Sequence, residues 1–438
     1  MNAELPYVKH RLDNGLDVII HEDHGCPIVA ISVWYHVGSK NERPGRTGLA
    51  HLFEHLMFEG SAHHDAGYFR PLQEVGGALN GSTNADRTNY WEVIPCGAVE
   101  RALWLESDRM GYLLPALTEA KFVTQRNVVL NERLQNYENR PYGVASMALL
   151  AAVYPTAHPY HWPTIGAPAD LHAATLGDVR DFFSAHYHPG NASLAIAGDI
   201  DADAALAVAA RCFNEIPSGP VPVAVAPQTL PAVSSPPPLC LEDRVELPRI
   251  YLAWPTPALF ADGDADLDLL SEVLAGGKSS RLQRALLHDR QLATDVAAGQ
   301  ESREISGLFT IAATAAPGAA LTEIEAVVAA ELDRLAVDGP SEDEIARASA
   351  RVESDFAHRR QSVGGFGGKA DQLNAYNVFA GTPGYFGADR ERYAGATIAS
   401  VRSAAATHLA SATRIALSVV PTGSTAAALP GSTPVTTT

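Results

Sequence analysis

A chain of 438 residues, 46% hydrophobic and 19% charged, has the composition of an ordinary globular protein and is too long for one typical core. Its formal net charge of −18 lacks the basic footprint of a nucleic-acid partner, and no run of about 18 apolar residues offers a membrane span. Cys26, Cys96, Cys212 and Cys240 are too scattered for a disulfide framework or a zinc ribbon and read as packed thiols. The opening Met-Asn-Ala-Glu-Leu-Pro has neither a basic n-region nor an apolar h-region, so the chain reads as cytoplasmic; one whose leader had been removed would read the same way and be periplasmic.

Taken in order, Leu16 to Ile20 and Ile28 to Trp34 are β-branched runs bounded by turn residues and predict two strands. They lead into Thr47 to Gly60, where Leu49, Leu52, Phe53 and Leu56 recur at helical spacing, Thr47 stands as N-cap and Gly60 stops the pattern. His51 and His55 lie four residues apart, so both rings leave one helix face, as two ligands of a single tetrahedral Zn²⁺ must. Glu54 lies between them. The order His-x-x-Glu-His inverts the commoner His-Glu-x-x-His but keeps its requirement, two rings on the metal and a carboxylate within reach of the water that the metal acidifies. That is the chemistry of peptide hydrolysis, with Glu54 as general base. A chain with 16 His would produce such a pentapeptide in roughly a few per cent of shuffled sequences, so a third ligand is needed. Glu132, 77 residues after His55 on an amphipathic stretch from Gln125 to Leu134, is the candidate.

From Val75 the Gly76-Gly77 pair and the run Asn80 to Tyr90 suit a strand near a sheet edge, ended by Pro95. Residues 98–114, 121–135, 146–153 and 176–185 are helical by periodicity, and 192–197 is a buried strand, which makes the class α+β. Proline crowds 217–238, the mark of a semi-rigid linker. Across it Leu176 to His186 matches Ile398 to His408 at an offset of 222, and Pro27 to Trp34 resembles Pro248 to Trp254 at an offset near 220. Two matches in the same order predict two copies of one domain, at 1–217 and 239–429, joined by a linker over 218–238 and followed by a disordered Ser/Thr-rich tail over 430–438. In the second copy Asp268 and Glu272 stand roughly opposite His51 and His55, so no zinc is expected there. Its Gly276-Gly-Lys-Ser-Ser-Arg-Leu282 lacks the spacing of a phosphate loop.

These residues resemble a known family, the pitrilysin/insulinase zinc peptidases, and especially the branch of mitochondrial processing peptidase and its bacterial relatives. The resemblance rests on Gly48 to Ser61, on Gly76-Gly-Ala-Leu-Asn80 with Thr83-Asn-Ala-Asp-Arg-Thr-Asn-Tyr90, and on Asn131-Glu-Arg133 with Asn139-Arg-Pro-Tyr-Gly143. It implies Glu132 as the third zinc ligand and a substrate strand at Gly77, Ala78, Leu79 and Asn80, where an extended peptide would pair through its backbone. Many members carry a second Glu where this chain has Gln125. The resemblance also implies a peptidase chamber of which this chain supplies half, with an Arg/Tyr pair reaching the substrate from a domain without metal. Phe309 and Ala316 occupy those positions here, so the pair is expected from a homologous zinc-free subunit in a heterodimer, the alternative being a homodimer without it. A scaffold subunit that keeps the fold and loses the chemistry is the competing function, and the complete set His51, Glu54, His55 and Glu132 weighs against it. His63 and His64 read as loop residues, and His158, His161, His186 and His188 as packing or capping residues.

Overall fold

The computed structural model describes residues 5–221, 223–225, 230 and 236–436. Its strands are β1 (Val8–Arg11), β2 (Asp17–Glu22), β3 (Ile28–Tyr35), β4 (Ala78–Thr83), β5 (Thr88–Pro95), β6 (Ala192–Gly198), β7 (Leu239–Asp243), β8 (Arg249–Thr256), β9 (Ala293–Glu301), β10 (Gly307–Ala315), β11 (Ile415–Pro421) and β12 (Thr433–Pro434). They form two six-stranded sheets, ordered β1-β2-β6-β3-β5-β4 and β12-β7-β11-β8-β10-β9. The sheets repeat one plan. β2 runs parallel to β6 as β7 does to β11, and β6, β3, β5 and β4 are successively antiparallel, as are β11, β8, β10 and β9. The protein is therefore α+β with two homologous domains, as its internal repeat predicts. The copies differ at one edge, where β1 is antiparallel to β2 but β12 is parallel to β7.

Among the helices are α1 (Leu49–Leu56), α2 (Val99–Ala116), α3 (Glu119–Arg133), α4 (Ala145–Val153), α5 (Leu176–His186), α6 (Asp264–Ala275), α7 (Lys369–Phe379) and α8 (Ile398–His408). The matched segments of the repeat are α5 and α8, and both start alike. Thr175 and Thr397 are N-caps in reciprocal capping boxes with Asp178 and Ser400.

The compact units do not coincide with the sequence copies. One comprises 1–131, 162–225 and 355–388, the other 132–161, 226–354 and 389–438. The first unit thus takes α7 from the second half of the chain. Ile19, Ala30, Ala195 and Ala197 pack with Ala370 and Leu373, the small side chains letting the helix approach the sheet. Asp371 and Asn374 on the same helix are buried and hydrogen-bonded. Asp371 accepts from Trp34 Nε1 at 2.7 Å and Asn89 Nδ2 at 2.9 Å, and Asn374 donates to Ser32 O at 2.8 Å. In the second unit α4, from the first half of the chain, packs on β8 and β11, and Tyr154 donates to Gly307 O at 3.1 Å.

The tail corrects an expectation. Instead of being disordered from 430, the chain adds β12 beside β7, with the Thr433 and Val435 N–H groups bonded to Pro238 O and Cys240 O at 2.8 Å each. Ser/Thr composition is compatible with a strand wherever a neighbouring strand offers unpaired backbone groups. Residues 437 and 438, and much of the expected linker, lie outside the described residues. Among the described residues no helix is long and apolar enough to cross a membrane.

Candidate metal centre

Helix α1 buries Leu49, Ala50, Leu52, Phe53 and Leu56, and Phe53 packs on Phe183 and Tyr187 with ring centroids 5.2 and 4.4 Å away. The helix therefore has one orientation, and His51, Glu54 and His55 are left half-buried on the other face. Its start differs from the sequence expectation. The N-cap is Gly48, at φ 87°, a left-handed conformation that glycine tolerates without a Cβ penalty. The N–H groups of Gly48 and Ala50 are satisfied by the carboxylate of buried Glu42, at 2.9 and 2.8 Å. Thr47, expected as the cap, donates instead to Asp170 at 2.6 Å and accepts from Ala167 N at 2.9 Å. Burial pushes the Glu42 carboxyl up to about 8, against the pull of its backbone donors and with some help from Asp170.

The rings of His51 and His55 lie 4.9 Å apart, inclined at 85°. Glu132 sits at the penultimate position of α3. One donor atom from each of His51, His55 and Glu132 falls within 4.8 Å of the others. Zinc takes nitrogen and carboxylate ligands at about 2.0–2.2 Å, a spacing that small rotations of these three side chains reach, and the donor set is that of a catalytic site. Glu132 also accepts from Asn136 Nδ2 at 3.3 Å. Gln125 donates to Glu59. A second Glu at position 125 would face that carboxylate, so the exchange of charge for amide follows from Glu59.

The four residues expected as a substrate strand lie at the edge of the first sheet. Ala78, Leu79 and Asn80 are in β4, the terminal strand in the order, and Gly77 precedes it. A Cβ on Gly77 would lie 2.8 Å from Leu72 O, which accounts for glycine at that turn. Behind β4, β5 carries Glu92 opposite Leu79. Glu92 is buried beside Glu106 and Arg109, and burial followed by the charge of Glu106 raises it well above the ordinary carboxylate value. Arg109 is bonded to Glu106 and lies 3.9 and 4.1 Å from the ring centres of Tyr68 and Tyr90, which compensates its burial.

Sequence reasoning missed three features. Glu42 caps α1 from six residues upstream of Gly48, outside any local pattern. Thr83 donates to Glu54 Oε2 at 2.7 Å, a contact that only the sheet creates. A cleft of about 520 Å³ adjoins the segment after Glu132, lined by Asn136, Tyr137, Arg140, Tyr142 and Arg249. Tyr142 is held there at φ 60° by its N–H to Asp243 at 2.8 Å, its hydroxyl to Leu247 O at 2.7 Å, and the Arg249 guanidinium 3.9 Å from its ring centre. Of the remaining histidines, His63 bonds Asp108 at 2.5 Å and His158 accepts from Tyr160 N at 3.0 Å. In the second domain α6 also starts at a glycine with φ 87°, Gly263. Counting from the two glycines, the third and seventh helical residues are His51 and His55 in α1 but Asp266 and Leu270 in α6, a shift of two from the sequence alignment.

Residues 17–162 match the family described as insulinase, peptidase family M16, and residues 173–352 match the peptidase M16 inactive domain. The chain belongs to the M16 peptidase family. This M16 chain is 28% identical over 372 residues to the zinc protease PqqE of Helicobacter pylori, covering 83% of this chain and 82% of that one. The crystal structure of a protease from Helicobacter pylori superposes with a TM-score of 0.87 over 95% of this chain and 100% of the other, at 24% identity. A Pseudomonas fluorescens structure described as a peptidase M16 inactive domain gives 0.82 over 99% and 100%, at 21% identity. At these identities the structural likenesses establish the fold, and the match of the second M16 domain to an inactive type leaves any activity to the residues of the first.

Proposed function

We propose that this chain is a zinc metalloendopeptidase acting on extended or unfolded peptides. The observation that carries the proposal is the convergence of His51, His55 and Glu132, with Glu54 on the same helix face. His51, His55 and Glu132 would hold the zinc, and the relatives named zinc proteases support that choice of metal. When bound, zinc acidifies a water and polarises a carbonyl. The peptide lies along the edge strand β4 and pairs through its backbone, which gives affinity with little side-chain selection. Glu54 takes the proton of the attacking water as its oxygen bonds to the scissile carbon, and passes that proton to the nitrogen that leaves as the C–N bond breaks.

The chain acts as the catalytic subunit of a heterodimer with a homologous zinc-free partner that supplies an Arg/Tyr pair. Support comes from the corresponding positions here. Phe309 is fully buried in the core of the second domain against Trp254, and Ala316 follows the end of β10, so neither offers a donor to a substrate carbonyl. A donor of that kind contributes about 3 kcal/mol to acyl-transfer barriers.

The test is a digest of a peptide mixture read by mass spectrometry, with zinc-loaded wild type and Glu54→Gln side by side. Glu54→Gln is nearly isosteric but cannot take up the proton, so new peptide ends are expected from the wild type and none from the variant. Equal cutting by a zinc-replete Glu54→Gln would require another base, and no cutting by the wild type would favour a scaffold role.

A further inference from the structure

We propose that Thr83 is a positioning residue for Glu54, and that β4 thereby serves two ends of one device, pairing with the peptide along its edge and orienting the base at its last residue. The inference rests on the zinc-peptidase reading above. Thr83 closes β4, directly opposite Thr88 of β5, and its hydroxyl donates to Glu54 Oε2 at 2.7 Å. A hydroxyl donor fixes which way the carboxylate plane turns, and the opposite helix face, buried against Phe183 and Tyr187, keeps the helix from rolling to compensate.

The position of Thr83 is itself over-determined. Thr88 is buried and donates to Val37 O at 2.9 Å, with its oxygen 3.4 Å from Thr83 Oγ1. Arg87 donates to Ser82 O at 2.8 Å, fixing the residue before Thr83. The connecting turn is bound to the segment 38–40. Ser39 and Lys40 donate their N–H groups to Asn84 O and Ala85 O at 3.1 and 2.9 Å, and Lys40 Nζ reaches Asp86 O at 2.9 Å. A Cβ on Gly38 would lie 2.3 Å from Asn84 O, so only glycine lets the two segments come this close. The run Thr83 to Tyr90 thus gains a physical meaning. It is a rigid hairpin end whose product is one hydroxyl aimed at Glu54.

The experiment compares Thr83→Val and Thr83→Ser with wild type. Valine keeps the β-branched shape and strand preference while removing the donor, and serine keeps the donor while removing the methyl. Four quantities are read: zinc per chain, peptide affinity of the metal-free protein by fluorescence anisotropy, kcat and KM. For Thr83→Val, kcat falls roughly 10- to 100-fold, the scale of a misplaced catalytic group. Zinc content, peptide affinity and KM stay within about twofold of wild type, and Thr83→Ser recovers most of kcat. Wild-type kcat in Thr83→Val overturns the inference, as does equal loss in Thr83→Ser, which would assign the effect to packing. Loss of zinc or of peptide affinity in Thr83→Val also overturns it, by showing a general structural role. If zinc-loaded wild type cuts no peptide, the peptidase reading fails and takes this inference with it.

Discussion

Two imidazoles away from α1 set an acid limit on the fold. Burial pushes His158 down to about 4, with a smaller contribution from His161, and it pushes His186 down to about 4, with His188 and Lys40 adding to the shift. Both are ordinarily near 6.5. The folded state keeps these rings neutral while the unfolded chain binds protons below about 6.5, so the stability they contribute is present above that pH and is lost as pH falls toward about 4. Each ring accounts for on the order of 1 to 2 kcal/mol between pH 7 and pH 5. Urea unfolding of the metal-free protein should show a lower midpoint at pH 5 than at pH 7, and Gln at both positions should reduce the difference. A midpoint that does not move contradicts the burial argument. At this scale the sequence is informative where a residue type has one chemistry. The histidine pair with Glu54 is readable from spacing alone. Glu42 is not, because a carboxylate that caps a helix across an intervening loop leaves no periodic trace.

At the scale of elements, the edge position of β4 makes its backbone available, and that availability is what the substrate proposal uses. Leu79→Pro removes one N–H from the strand, so KM for several unrelated peptides should rise while zinc content stays constant. Unchanged Michaelis constants would place peptide binding elsewhere. Helices with an apolar stripe, such as α1 and α5, are legible from the sequence. Helix α7 is not, because its buried positions include Asp371, Asn374 and Asn377, polar residues whose partners only the sheet supplies. The tail departs from its sequence expectation for a related reason. Composition describes how a segment interacts with water, whereas β12 exists because β7 presents an edge.

For the whole molecule, two short sequence matches at nearly equal offsets foretell the repeated sheet order, since repeated topology needs the same strand and helix signals in the same sequence. They do not foretell the exchange of α4 and α7 between units, which depends on contacts hundreds of residues apart. The heterodimer proposal belongs to this scale. The chain alone, sized by light scattering, should turn over peptide much more slowly than the same chain mixed with a homologous zinc-free subunit. Equal turnover by a monomer or homodimer would replace that proposal with a self-sufficient enzyme. The central claim, that His51, His55 and Glu132 hold one metal beside a base that is not a ligand, is tested most directly by elemental analysis of the purified protein and its variants. About one zinc per chain is expected in wild type and in Glu54→Gln, with severe loss in His51→Ala and Glu132→Ala, because only three protein ligands are available. Full zinc occupancy in a His51→Ala/His55→Ala double variant would contradict that claim.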